Sequence, residues 1–176
     1  MSIGASVPRD RAKRLLLGRG NYVDDISLPR MLHLALVRSP YAHAHVGAIE
    51  TREALALPGV IAVFTAEDLE GAVSSWRAEH KLFPAMAAPE QFALARDVVR
   101  WQGEAVAAVL ANSRAEAEDG AERVSVDWDE LPAITDANQA LAPNAPVLHD
   151  DMSSNLAFET QVTAGDVNAA FADADH

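Results

Sequence analysis

Arg38-Ser39-Pro40-Tyr41-Ala42-His43-Ala44-His45 lies between two apolar runs, residues 31–37 and 46–49. Its reading decides the fold. Proline removes a ladder donor, so one continuous central strand cannot pass through Pro40. The run 31–37 is short, nearly all apolar and preceded by the breaker Leu28-Pro29-Arg30. That is the pattern of a strand buried on both faces. Residues 42–49 resume strand character after the proline. Thr51 is placed to cap a short helix, 52–57, which Pro58-Gly59 ends. Residues 60–64 read as a further buried strand, and 65–69 as a capped helical turn.

Periodicity fails between residues 71 and 96, where Pro84, Pro89, Trp76, Phe83 and Phe92 are scattered without pattern. Long irregular excursions in compact domains often serve function or face partners. Trp76 and Phe83 are costly to leave in water, and docking on another chain or domain is expected of them. A short strand follows at 97–101, then a turn or bulge at Gln102-Gly103 and a strand at 104–111. Ser113-Arg114-Ala115-Glu116 is a capping box opening a helix to about Arg123. Gly120 weakens that helix by about 1 kcal/mol relative to alanine, so packing must hold it. Residues 124–128 alternate like a half-exposed strand. The unit 105–128 is therefore strand–helix–strand, with a right-handed crossover if its strands are parallel neighbours. Residues 51–64 resemble a smaller version of that plan. Beyond Leu131 one turn is expected at 138–141 and a strand at 155–161. A last helix is expected at 167–173, with Asp166 at its N-terminus. The sequence stops at His176 directly after that helix, which reads as a cut.

Bulk properties remove several function classes. The formal net charge is −12 over 176 residues, against both a nucleic-acid binder and an anionic membrane surface. There is no cysteine, hence no disulfide, thiolate metal site or cysteine nucleophile in this chain. No apolar run reaches membrane length, and residues 1–14 lack the h-region of a secretory signal. A cytoplasmic protein without membrane insertion is expected. The apolar fraction is 49%, but alanine supplies much of it, so core side chains are small.

Candidate chemistry is sparse. Gly18-Arg19-Gly20-Asn21-Tyr22-Val23-Asp24-Asp25 is an irregular glycine turn that could cradle phosphate, although Asp24 and Asp25 would repel an anion. His43 and His45 are two apart and share a face on a strand. They could bind a metal with Asp24 or Asp25, but no third ligand stands at a standard spacing, and packing near a bend is the alternative. His33 reads as a core or edge histidine. Arg38 could clamp an anion or brace a loop. Glu104, entering its strand after Gln102-Gly103, could act as an acid or base, yet no partner is visible. Asp127, Asp129 and Glu130 read as a solvated edge. No nucleophile elbow, Walker motif or dinucleotide motif is complete, and no catalytic residue is assigned.

An ordered set of pieces carries a resemblance. It comprises residues 18–25, Leu28-Pro29 with Met31-Leu32-His33, and residues 38–44. Leu57-Pro58-Gly59-Val60, residues 99–107 and the acidic helix 115–122 follow, then Leu131-Pro132-Ala133 and Gly165-Asp166-Val167 with Ala170-Phe171. Together they resemble the N-terminal domain of the large subunit of molybdenum hydroxylases, the family of xanthine dehydrogenase, aldehyde oxidase and carbon monoxide dehydrogenase. The resemblance implies an α/β hammerhead: a small mixed sheet with flanking helices. It implies residues 1–17 as a flexible lead, 18–135 as the hammerhead, and 136–176 as a linker opening the next cofactor-binding domain. The implied enzyme hydroxylates an aldehyde, N-heterocycle, CO or similar small substrate with oxygen from water. A molybdopterin-type molybdenum cofactor would be held by the remainder of the large subunit, with FAD and [2Fe-2S] on partner subunits or domains. The implied role of this chain is packing, with Arg38, His43, Trp76, Phe83, Gln102, Gly103 and Glu104 as the residues facing partners or the cofactor domains. The alternative is a stand-alone hammerhead that binds partners without enzymatic activity.

Overall fold

The structure is a computed structural model that describes residues 3–4, 9, 12–83 and 85–174. Two compact units divide the chain, residues 1–32 and 33–176.

In the first unit, α1 (Ala12–Leu16) is a short helix inside the segment expected to be irregular. Much of that expected flexible lead, residues 1–2, 5–8 and 10–11, lies outside the described residues, as do Pro84 and the stop at His176. A single 3-10 turn, Val23–Asp25, follows. The Asp25 carboxylate accepts the Tyr22 N–H at 2.9 Å. That amide is thus already committed to a carboxylate, which weakens the phosphate-cradle reading of 18–25.

In the second unit the strands are β1 (His33–Arg38), β2 (Ala44–Glu50), β3 (Val60–Thr65), β4 (Val98–Val99), β5 (Ala105–Ala111) and β6 (Ser125–Glu130). Helices α2 (Arg52–Leu55), α3 (Arg114–Glu122), α4 (Ala137–Ala140) and α5 (Val167–Ala172) join or follow them. The strands form two three-stranded sheets, β1-β5-β3 and β4-β2-β6. Every pairing is antiparallel. The α/β architecture is as expected, but its strands make two antiparallel sheets rather than one mixed sheet. The chain changes sheet at every step from one strand to the next. Pro40 therefore does more than interrupt a strand: it marks the passage from the first sheet to the second. Likewise β5 and β6, with α3 between them, lie in different sheets, so the condition for a parallel crossover is not met. The unit β2–α2–β3 passes between sheets in the opposite direction, and α2 and α3 pack on each other.

Strand β5 is the centre of its sheet and is almost wholly buried. Its alanines, Ala107, Ala108 and Ala111, let neighbours approach closely. Helix α3 lies over it with Gly120 against the sheet. A Cβ there would meet Val109 Cγ1 at 2.8 Å and Val60 Cγ2 at 3.0 Å. The glycine that weakens the helix in isolation is thus what permits its packing. Ser113 caps the helix as read from sequence, accepting the Glu116 N–H at 3.3 Å. Glu116 reaches back to the Ser113 hydroxyl, which donates to it at 2.8 Å. Thr51, by contrast, makes no side-chain cap on α2.

Two small clusters form the core. One gathers Ala44, Ala95, Val99 and Val106 with Tyr41 and Trp128; the other gathers Ala54, Ala107, Val109 and Val124. Val37, Ile49 and Val126 touch both.

Burial corrects two strand readings. β1 and β3, expected to be buried on both faces, are the edges of their sheet. Facing pairs place Leu34 beside Leu110, and Phe64 and Leu36 beside Ala108, on the face away from α3. Leu34 is 57% and Phe64 37% exposed there. The apolar pattern that signals two-sided burial is present, yet among the described residues Leu34 and Phe64 stay exposed while Leu36 and Leu110 are part-buried.

Residues 71–96 are irregular apart from one bridge between Trp76 and Gln91. The strand expected at 155–161 does not form: those residues have no regular structure, and Ala157 only accepts the Ala87 N–H at 2.8 Å. The last two helices are as expected, with Asp136 and Asp166 accepting backbone N–H groups at their N-termini.

Candidate functional site

The chain's change of sheet at Pro40 brings residues 38–43 against the turn 100–104. Gly103 has φ +92, a conformation that glycine tolerates without strain. Both of its backbone groups are taken. Its carbonyl accepts from Arg38 Nη1 at 2.7 Å, and its N–H donates to the Ser39 carbonyl at 2.9 Å. The Ser39 N–H donates to the Glu104 carbonyl at 2.8 Å. Ser39 is buried, and its hydroxyl both donates to the Tyr41 carbonyl at 2.8 Å and accepts the Tyr41 N–H at 3.0 Å. That local loop orients the Tyr41 ring toward Trp128, with centroids 6.0 Å apart.

Glu104 Oε2 accepts the Arg100 backbone N–H at 2.6 Å. Burial pushes the Glu104 carboxyl above its ordinary pKa, opposed by the Arg100 N–H and the Arg100 charge. Arg100 spreads its guanidinium over Leu148 O at 2.7 Å, Val98 O at 3.1 Å and the Asp150 carboxylate at 3.7 Å. His149 sits in the same neighbourhood. Burial pushes its pKa below the ordinary value, and the positive charge of Arg100 adds to that; Asp151 and Asp150 oppose it. The His43 ring packs nearby with Nδ1 at 2.8 Å from the Pro132 carbonyl. A carbonyl only accepts, so Nδ1 carries the hydrogen of this bond.

Of the residues singled out by sequence, Arg38, His43, Gly103 and Glu104 come together at this corner, with Gln102 exposed at its rim. Trp76 and Phe83 lie elsewhere. Trp76 bridges Gln91 and is half exposed. Phe83 stacks between His80 (4.9 Å) and Phe158 (4.3 Å), so much of its docking is met within the chain. His33 opens an edge strand and is partly exposed.

Sequence reasoning missed Arg100, His149 and Asn155. Arg100 was absorbed into a strand, although β4 ends at Val99. Asn155 holds the chain before it, accepting the Leu148 N–H at 2.9 Å and donating to Pro146 O at 2.9 Å and Ala140 O at 3.1 Å. An asparagine after a proline-rich stretch was the only signal. A cleft of about 400 Å³ adjoins His149, bounded also by Pro89, Ile134, Asp136 and Asn155.

The hydrogen bonds of the corner brace the end of β1 against the turn at 100–104. Glu104 is spent on a turn amide and Arg38 on a carbonyl. Among the described residues no three His, Asp or Glu side chains are arranged to hold a metal ion. His43 is bound to Pro132, which removes one ring nitrogen from the proposed histidine pair.

Comparison with known proteins identifies the fold. Residues 17–132 match the aldehyde oxidase and xanthine dehydrogenase a/b hammerhead domain. The chain belongs to that family of oxidoreductases and carries its hammerhead. It is 42% identical to the carbon monoxide dehydrogenase large chain of Hydrogenophaga pseudoflava over 87% of this chain and 19% of that one. It is 36% identical to a xanthine dehydrogenase molybdenum-binding subunit of Escherichia coli O157:H7, over 90% of this chain and 21% of that one. The crystal structure of quinoline 2-oxidoreductase from Pseudomonas putida 86 superposes with a TM-score of 0.82 at 37% identity, over 99% of this chain and 22% of that one. The chain thus spans about a fifth of the length of these relatives. Among the described residues no helix is long and apolar enough to cross a membrane.

Proposed function

We propose that this chain is the hammerhead part of a molybdenum hydroxylase large subunit, acting by packing rather than by chemistry. The carrying observation is the apolar sheet face on which Leu34 and Phe64 are exposed beside the part-buried Leu110. The sequence there is written for burial, and the matched relatives are about five times longer than this chain. Burying such a face is worth about 25 cal/mol per Å² of apolar surface removed from water. In this reading the remainder of the large subunit covers it. The exposed rim of Arg38, Trp101 and Gln102, with Trp76, faces that remainder or the iron–sulfur and FAD subunits. Residues 18–135 form the hammerhead, and 136–176 lead into the next domain.

In this reading the molybdenum–pterin group is bound by the remainder of the subunit. The reaction proposed for the assembly is hydroxylation or oxidation of an aldehyde, N-heterocycle, CO or similar small substrate, with water as oxygen source. A cysteine-free chain fits assembly in the cytoplasm. The test is elemental and pterin analysis of the purified chain, alone and after co-expression with its genomic neighbours. Molybdenum in a co-purifying complex only is the expected result. No complex and no molybdenum in either preparation would leave a stand-alone hammerhead.

A further inference from the structure

Strand β2 is central in its sheet for only part of its length. Its partner β4 is two residues long and pairs only with Ala44 and His45. One further rung is made, the Val46 N–H donating to the Asp97 carbonyl at 2.8 Å. Past that point the chain carrying β4 turns away, with the Ala95 N–H donating to Ala105 O at 2.8 Å. Among the described residues no strand runs beside 47–50 on that side. An unpaired edge is a template for another strand.

A cleft of about 440 Å³ opens on this edge, lined by Val46–Ile49, the turn at Thr65–Glu67 with Glu70, and Ala95–Asp97. Its walls carry three carboxylates, Glu67, Glu70 and Asp97, against one guanidinium, Arg96. The Arg96 guanidinium lies over the Phe92 ring at 4.1 Å from its centroid, so its charge is spent in part on that ring. Gly47 and Ala48 are exposed and present little side chain to obstruct an incoming backbone.

From the open edge, the cleft and the sign of its walls together, we infer that residues 47–50 receive an extended, lysine- or arginine-bearing segment of another polypeptide as an added strand. Main-chain hydrogen bonds to β2 supply affinity in such a mode, and alternate side chains meeting the carboxylates supply selection. The added strand stands apart from the proposed hydroxylase role: it requires neither molybdenum nor the uncovered face at Leu34 and Phe64.

The test uses the full chain, with any subunits it retains on purification, and an end-blocked peptide alternating lysine and valine. Hydrogen exchange read at the amides of 47–50 is expected to slow when the peptide is added. The same peptide N-methylated at alternate residues, and a glutamate–valine peptide, are expected not to slow it. Glu67→Lys with Glu70→Lys, both exposed and away from the core, is expected to weaken peptide binding about tenfold or more. Unchanged exchange at 47–50, equal binding of the acidic peptide, or full binding to the charge-reversed variant would each overturn the added strand.

Discussion

Arg38 Nη1 donates to the Gly103 carbonyl at 2.7 Å, tying the end of β1 to the turn that opens β5. The two residues are 65 apart in sequence. The bond also coincides with a register shift between Val37 and Arg38 in the β1–β5 ladder. The arginine closes a ladder that the backbone alone leaves irregular.

Arg38→Met keeps the length of the side chain and removes the donor. Because the site is exposed, the stability loss is expected to be about 0.5–1.5 kcal/mol. Faster amide exchange confined to residues 101–104, with the core amides unchanged, is the outcome to look for. Loss of partner binding beyond that local effect would mark Arg38 as an interface residue as well.

Gly120→Ala sets two effects against each other. Alanine gains about 1 kcal/mol of helix propensity. Its Cβ would press on Val109 and Val60 across a core strand, where overpacking costs about 1–3 kcal/mol. Packing is expected to win, lowering the urea midpoint. A raised midpoint would mean that α3 can lift off β5 at little cost.

Glu104 is the group through which acidity reaches the corner. Burial raises its pKa in the folded chain above the ordinary 4.5. The native state therefore holds its proton to higher pH than the unfolded state does. Stability from this group is present below the unfolded value and is lost as pH rises through the raised folded value. Glu104→Gln keeps an oxygen for the Arg100 N–H and removes the titration. A flatter dependence of the urea midpoint on pH just above 4.5 is expected.

His149 works in the opposite direction. Its folded pKa lies below 6.5, first because of burial and then because of Arg100. As pH falls through 6.5 the unfolded chain takes up a proton that the folded chain refuses, so stability is lost on acidification. His149→Gln is expected to remove part of the difference between urea midpoints at neutral pH and below pH 6. An unchanged difference would place the acid sensitivity elsewhere.

What could be read from sequence follows the range of the interactions involved. The cap at Ser113, the helix after it, the buried run at 105–111 and the Asp166 cap are local, and each stands where the pattern puts it. Arg38 and His43 could be singled out by type and position, but not their partners, because Gly103 and Pro132 lie 65 and 89 residues away and are chosen by the tertiary fold. Thr51 shows the limit of a short-range rule: residue type favoured a cap, yet its backbone is helical and its side chain bonds no amide. The strand expected at 155–161 has apolar residues, but among the described residues only the Ala157 backbone there bonds a neighbouring backbone, at Ala87. The division of strands into two sheets was invisible, since it is set by pairings between strands far apart in sequence.

The alternation of strands between sheets has a consequence for how the chain reaches this state. Among the described residues no strand pairs with the strand before or after it, so none of these strands forms an early hairpin that holds while the rest arrives. β1 meets β5 across nearly 80 residues where His33 faces Ala111, and β2 meets β6 across a similar span. Even the nearest pairings, Thr65 with Ala107 and Val46 with Asp97, close loops of some 40 and 50 residues, so each sheet gains its first rung only through a non-local closure, which makes folding slow for its size. A nick in the irregular stretch 71–96 would not release a half-sheet able to persist alone, because each sheet draws strands from both sides of the cut.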